Sequence, residues 1–322
     1  MSELNEQGNL LLTLLADGEF HSGEKIGERL GVSRTSVNNY IKGLQGIGVD
    51  IYKVPGRGYQ SATLIKLLNE QKIRQLCGYD NIKVEQIVDS TNQILLDQIP
   101  NLENGQTCIA EYQLAGRGRR GRTWVSPFAS HLYFSFYWYF DSGLDKISGL
   151  SLLVGIAVVN TLEKMGIQGV SLKWPNDIYY QGKKLAGILI ELNAQATAAC
   201  HCVIGIGINI KMPPEQAKLI SQPWADLNAL MPTGVDRNEL SATLIKELQY
   251  LLPRYEKFGL TPYLPRWFEL DCFLDKKVNL LIADTVTTGI CRGVNTQGAL
   301  LLEIEGQVKE FIGGEISLRL AN

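Results

Sequence analysis

The sequence predicts an α+β chain of several domains: an N-terminal winged helix-turn-helix, a central mixed α/β domain and a small C-terminal β-barrel. Apolar residues recur at helical spacing between Leu10 and Leu44, and a short strand pair around a Gly/Pro turn follows. The middle of the chain mixes apolar strand patterns with an apolar helix over Leu150 to Met165. From Lys277 onward, short strands separated by turns dominate. The length of 322 residues suits about two or three domains. The expected segments are 1–64, 65–271 and 272–322.

In the first segment, Ser22 is placed to cap a helix over Glu24 to Leu30, with Ile26 and Leu30 on one face. After the turn Gly31-Val32-Ser33, a second helix from Arg34 to Leu44 buries Val37, Ile41 and Leu44. Its outer face carries Arg34, Thr35, Asn38, Asn39 and Lys42, the donor-rich set a recognition helix presents to a major groove. Lys53 and Arg57 lie on the wing formed by Val49 to Val54 and Pro55 to Tyr59. Across residues 1–60, six Lys and Arg stand against seven Asp and Glu, so one module gains little from counterion release. Two modules in a dimer, each on one half-site, form the expected DNA-binding unit.

The whole chain carries a net charge of -2, which excludes a bulk pull toward nucleic acid. The six cysteines are scattered and fit reduced thiols in a cytoplasmic protein. In Cys200-His201-Cys202 the spacing is too tight for a usual zinc clip, and on a strand the two thiols share a face. Buried strand cysteines are the expectation there. Leu10-Leu11-Leu12 is too short for a spanning segment and lacks the basic flank of a signal peptide, so neither is expected.

In the central segment, Lys83 to Val88 reads as a strand leading to Asp89-Ser90-Thr91-Asn92 at a helix start. Those small polar side chains suit either a helix cap or a ligand pocket. Gln106 to Tyr112 is a second strand pattern, and it runs into Gly116-Arg117-Gly118-Arg119-Arg120-Gly121-Arg122-Thr123-Trp124. Arginine supplies planar, permanently charged donors for carboxylate or phosphate, while glycine lets the backbone approach a ligand closely. Such a loop is expected to be mobile when empty and to close over an anion. Further on lie Leu132 to Phe140, an aromatic strand; Lys173-Trp174-Pro175-Asn176-Asp177, broken by proline into a turn; Lys184 to Glu191; and Val203 to Asn209. In the last of these, Gly205 and Gly207 share a face and would leave room for a ligand. Asp236 opens a capped helix to about Tyr255.

The run Gly116 to Arg122, together with Lys-Trp-Pro-Asn-Asp and Lys-Leu-Ala-Gly-Ile-Leu in that order, closely resembles the signature of biotin–protein ligases. With the winged N-terminus, the resemblance covers essentially the whole chain and points to the bifunctional form, which also represses the biotin operon. It implies a class II synthetase-like catalytic domain and an SH3-like barrel. It implies two half-reactions: biotin and ATP give biotinyl-5'-AMP and pyrophosphate, and a lysine of an acceptor then attacks the mixed anhydride. Both steps gather negative charge, so fixed cations are the main need. By the match, Lys184 neutralises the biotin carboxylate and the α-phosphate, and Arg117 and Arg119 clamp the acyl-phosphate. Ser90, Thr91, Asn92 and Gln113 would line the biotin pocket, with Gly118 and Gly187 beside them. Arg122, Lys173, Asn176 and Asn209 would contact the nucleotide. Trp124 would either stack on adenine or belong to the core. Asp177 would help hold Mg²⁺. The implied partners are a biotin carboxyl carrier protein domain of acetyl-CoA carboxylase, the operator DNA of the biotin operon, and a second copy when biotinyl-AMP is bound; no membrane is implied. A ligand-sensing transcription factor with weak or no ligase activity, and lipoate rather than biotin as the substrate, remain the alternatives.

Overall fold

A computed structural model describes residues 6–62, 64–141, 147–194, 200–282, 285–313 and 316–321. The ends of the expected first and last segments, Met1 to Asn5 and Asn322, lie outside these residues.

The N-terminal module has three helices, α1 (Glu6–Leu15), α2 (Gly23–Leu30) and α3 (Arg34–Gly46), then β1 (Ile51–Val54) paired antiparallel with β2 (Gly58–Ser61). Ser22 caps α2 by accepting from Lys25 N, and Ser33 caps α3 by accepting from Ser36 N. The helical spacing places Leu11, Leu15, Ile26, Val37, Ile41 and Leu44 in one buried cluster. Arg34, Thr35, Asn39 and Lys42 are left exposed on α3, and Asn38 is half-buried. On the wing, the Arg57 guanidinium lies 4.3 Å from the Phe20 ring centroid and Lys53 Nζ 5.6 Å from that of Tyr59. Both exposed cations thus sit on aromatic faces beside the helix pair.

Leu64 to Leu68 form neither helix nor strand, and α4 (Glu70–Cys77) begins after the Asn69 cap. Next come β3 (Ile82–Val88), α5 (Thr91–Leu96), β4 (Thr107–Gln113), β5 (Leu132–Phe140) and α6 (Leu150–Lys164). They are followed by β6 (Val170–Lys173), β7 (Asp177–Tyr180), β8 (Lys183–Ala194) and β9 (Cys200–Ile208). Strands β3 to β9 form one mixed seven-stranded sheet in the order β3-β4-β5-β9-β8-β7-β6, with only β3 and β4 parallel. Two short helices, α7 (Pro214–Ala217) and α8 (Leu227–Leu230), follow β9. Then α9 (Arg237–Phe258), capped by Asp236, and α10 (Leu264–Leu270) complete the domain. Cys200 and Cys202 are buried on one side of β9, as free thiols.

The C-terminal sheet comprises β10 (Lys277–Ile282), β11 (Thr285–Val294), β12 (Leu300–Ile304), β13 (Gln307–Phe311) and β14 (Ile316–Leu320). Strand β14 is absent from the sequence reading, and it pairs with β10. The order is β13-β12-β11-β10-β14, and no pairing between the outer two strands occurs among the described residues. Val278, Leu280, Leu300 and Leu302 share one core with α6, α9 and β5, so this sheet is not a separate lobe.

A buried ion pair ties the N-terminal module down. Glu111 within β4 and Arg237 at the start of α9 meet at 2.6 Å with side-chain exposures of 0% and 7%. Arg237 Nη2 donates to Lys66 O at 2.7 Å, and Glu111 accepts from Leu68 N, so the pair grips the connecting segment. Removing one partner would leave a buried charge, which costs about 3–5 kcal/mol. Phe128, from the loop before β5, packs into the N-terminal module's own cluster, together with Ile87 and Tyr112.

Candidate active site

The site is built on a glycine floor. Gly187 of β8 faces Gly207 of β9 directly, and Leu189 faces Gly205. A Cβ on Gly207 would lie 2.5 Å from the Trp124 indole, and one on Gly205 would lie 2.5 Å from Asn92 Oδ1. The recess expected over Gly205 and Gly207 is therefore filled by the protein's own side chains: Trp124 lies flat on one glycine and Asn92 on the other. The glycines let these two residues sink to the sheet.

Ser90 stands at the N-cap of α5 but makes no side-chain capping bond. Thr91 donates from its backbone N (3.0 Å) and its hydroxyl (3.2 Å) to Gln113 Oε1. Gln113 Nε2 reaches Ser126 Oγ at 3.4 Å. Beneath them, the fully buried Ser135 Oγ lies 2.7 Å from Thr91 Oγ1 and also contacts Asn92 Oδ1, its single proton serving one of the two. Asn92 Nδ2 donates to Leu189 O (3.3 Å) and Glu191 Oε2 (2.8 Å). Ser90, Thr91, Asn92 and Gln113 wall a cavity closed by Tyr133, Phe134, Ile188 and Ile206. The expected pocket residues are thus together, but Asn92's amide is already engaged by protein partners.

The arginine loop is folded down. Arg117 bridges Thr123, Gly118 N donates to Arg122 O at 2.7 Å, and Trp124 N donates to Gly116 O at 2.8 Å. Its tip turns through Arg120 (φ 61°) and Gly121 (φ 68°), both left-handed. For arginine this conformation carries strain of order 1 kcal/mol. Arg117 Nη2 pairs with Glu191 at 2.9 Å, and Nη1 donates to Gln93 Oε1 at 3.0 Å. Arg119 Nη1 donates to Asn176 Oδ1 at 2.6 Å, and Asn176 Nδ2 donates to Ile188 O at 2.8 Å. Burial, with the like charges of Arg120 and Arg122, lowers the Arg119 pKa from its ordinary value.

Lys184 lies at the meeting point. Strand alternation would send Lys184 and Gly187, three positions apart, to opposite faces. A β-bulge prevents this: β7 pairs Ile178 with Ala186 but Tyr179 with Lys184, leaving Leu185 as the extra residue. Lys184 Nζ consequently lies 3.1 Å from where a Gly187 Cβ would stand. It pairs with Asp177 Oδ1 at 2.6 Å, both side chains 16% exposed. Its ammonium is 5.7 Å from the Trp124 ring centroid. Asn209 Nδ2 donates to Ala225 O (3.1 Å) and Lys184 O (3.5 Å), pinning the backbone that carries the lysine.

On the far side of Trp124 a cleft of about 880 Å³ opens between the two sheets. Arg122, Lys173, Lys276 and Arg319 line it, with Asn209, Trp224 and Tyr179. Lys173 Nζ donates to Tyr179 Oη at 3.0 Å and faces the rings of Tyr179 and Phe273; burial lowers its pKa. Burial foremost pushes the Tyr179 phenol up to about 12. Among the described residues no group of three His, Cys, Asp or Glu side chains could hold a metal. No helix among them is long and apolar enough to cross a membrane.

Sequence reasoning missed Ser135, Glu191, Trp224, Lys276 and Arg319. For Ser135 a signal existed, a single small polar side chain in a strand that is otherwise aromatic apart from Leu132. For Arg319 none did, since it depends on the unread strand β14.

Residues 84–209 match the biotin/lipoate A/B protein ligase family, residues 7–60 a helix-turn-helix domain and residues 273–319 the biotin protein ligase C-terminal domain. Over 311 residues, the chain is 50% identical to the bifunctional ligase/repressor BirA of Salmonella typhimurium strain LT2, covering 97% of each chain. The chain belongs to the biotin protein ligase family. Its likeness within the ligase family extends to BirA of Escherichia coli K12, at 48% identity over 97% of each chain. A solved biotin protein ligase from Aquifex aeolicus, in complex with biotin and ATP, shares 31% identity and a TM-score of 0.65. It covers 76% of this chain and all of its own. The glycine floor, the arginine loop and Lys184 all lie on the sheet that the ligase-family match spans.

Proposed function

We infer that this protein activates biotin with ATP, transfers it to a lysine of a biotin carboxyl carrier protein, and represses the biotin operon. Family membership gives the two activities. The observation that carries the site assignment is the position of Lys184, which lines both the pocket under the arginine loop and the open cleft beyond Trp124. In this reading the ureido ring of biotin sits among Ser90, Thr91 and Gln113, and its carboxylate points to Lys184, Arg117 and Gly118. Adenine sits against Trp124 and Trp224, and the triphosphate meets Arg122 and Lys173.

A biotin carboxylate oxygen attacks the α-phosphorus of ATP. The bond from that phosphorus to the β-bridging oxygen breaks, and pyrophosphate leaves. Lys184 brings two anions together, and Asp177 fixes the direction of its ammonium. The acceptor lysine amine then attacks the acyl carbon, AMP leaves, and the amine proton passes to solvent. Asp177, whose Oδ1 is taken by Lys184, would hold Mg²⁺ through its other carboxylate oxygen together with phosphate oxygens, and the ion would supply neutralisation of phosphate charge. Arg119 and Asn176 hold the loop over the anhydride and keep water away.

The proposed division is 1–64 for DNA binding, 65–271 for catalysis and 272–322 for the C-terminal domain. DNA is met by Arg34, Thr35, Asn38, Asn39 and Lys42 of α3, with Lys53 and Arg57 on the wing. The adenylate drives pairing of two copies, and the protein works in the cytoplasm. Incubation with labelled ATP and either biotin or lipoate tests the substrate: adenylate forms with biotin. Adenylate with lipoate alone would falsify the assignment. A gel shift on the biotin-operon promoter, with and without biotin and ATP, tests the coupling: the shift requires both.

A further inference from the structure

We propose that Glu191 is a positioning residue that fixes Arg117 of the arginine loop over the biotin pocket, and so governs capture of biotin rather than of ATP. The proposal deepens the ligase reading above and rests on it. One carboxylate oxygen, Glu191 Oε2, accepts from Asn92 Nδ2 at 2.8 Å and from Arg117 Nη2 at 2.9 Å. The other terminal nitrogen of Arg117 donates to Gln93 Oε1 at 3.0 Å, and Gln93 follows Asn92 on α5. The guanidinium is thereby tied to β8 and to the first turn of α5, the two elements that wall the pocket.

Arg117 and Asn92 line the pocket, whereas Glu191 does not. Glu191 acts through them and touches no substrate. With side-chain exposures of 38% and 27%, the Arg117–Glu191 pair is largely screened by solvent and adds little to folding. Arginine has five N–H donors in a planar fork. Glu191 and Gln93 use two of them, which sets the plane of the fork and leaves the rest for an incoming carboxylate. The pair also cancels a negative charge that would otherwise repel that carboxylate. Replacing Glu191 by Gln removes some repulsion but loosens the fork. A hydrogen bond between charged groups outweighs a screened repulsion at this exposure, so loosening dominates.

The test uses the full-length protein, with biotin-dependent pyrophosphate exchange and release of the adenylate as readouts. Glu191→Gln is expected to raise KM for biotin about tenfold and speed adenylate release by a similar factor, while KM for ATP stays within about twofold. In an Arg117→Ala background the same substitution adds less than about twofold, because no guanidinium remains to be held. Gln93→Ala, which removes only the second support, shifts KM for biotin in the same direction by a smaller factor. Unchanged KM for biotin in Glu191→Gln overturns the proposal, as do equal rises in KM for biotin and ATP. Persistence of the full effect without Arg117 also overturns it. If Glu191→Gln unfolds, Gln93→Ala decides, and an unchanged KM for biotin there is the overturning result. A wild-type protein that makes no adenylate refutes the ligase reading and this assignment together; an active wild type with an unaltered variant refutes the assignment alone.

Discussion

The pocket under the arginine loop and the cleft beyond Trp124 share Lys184 but are built on opposite plans. On the pocket side, Thr91, Asn92, Gln113 and Ser135 already bond to one another, and Arg117 is paired. Its side chains hold one another in place, so little ordering entropy is lost on binding. On the cleft side, neither Arg122 nor Arg319 enters an ion pair among the described residues. Excess positive charge around an open space attracts a polyanion but does not shape it. The two plans match the proposed ligands: preformed hydrogen bonds suit a small neutral ring, and charge suits a flexible triphosphate.

The largest expected effect tests what the two sides share. Lys184→Ala should slow biotin-dependent pyrophosphate exchange by about 10²–10³-fold, whichever substrate is saturating, as when other electrostatic groups are lost. A fully active variant would remove Lys184 from the mechanism. Next, Arg119→Gly frees the loop from Asn176 and should speed adenylate dissociation by roughly 10–10²-fold, the worth of a charged hydrogen bond, with the thermal midpoint unchanged. An unchanged release rate would mean that the loop is not a lid. Ser135→Ala separates the two sides: KM for biotin should rise up to about tenfold, with KM for ATP unmoved. Equal changes in both constants would show that the pocket network serves folding only. Smallest is Arg319→Ala, which should raise KM for ATP about threefold at low salt and scarcely at high salt, because an exposed charge is screened. A salt-independent loss would point to a direct, dehydrated contact instead.

The N-terminal module was legible because its evidence is local: Ser22 and Ser33 cap, and Val37, Ile41 and Leu44 repeat at helical spacing. Lys184 was legible only through its motif. What turns it to the correct face is the extra residue Leu185, and a bulge leaves no mark in periodicity. Ser135 escaped because its importance lies in register: it faces Gly205 across β5 and β9, under the side chain that this glycine admits. Glu191 read as the end of an apolar strand, since its partners lie 99 and 74 positions away. The strand order of the C-terminal sheet was hidden for a similar reason. Strand β14 is short, and pairing with β10 rather than with its sequence neighbour defines it.

The grip of Glu111 and Arg237 on Lys66 and Leu68 has a geometric consequence for DNA. With Phe128 also wedged into its core, the N-terminal module is seated on the catalytic domain rather than hung from a tether. In the proposed pair of copies, the separation of the two recognition helices is then a property of the protein. The assembly would act as a caliper, accepting half-sites one fixed distance and one helical phase apart. Half a helical turn of added sequence between the half-sites, about five base pairs, would put the second site on the far side of the duplex.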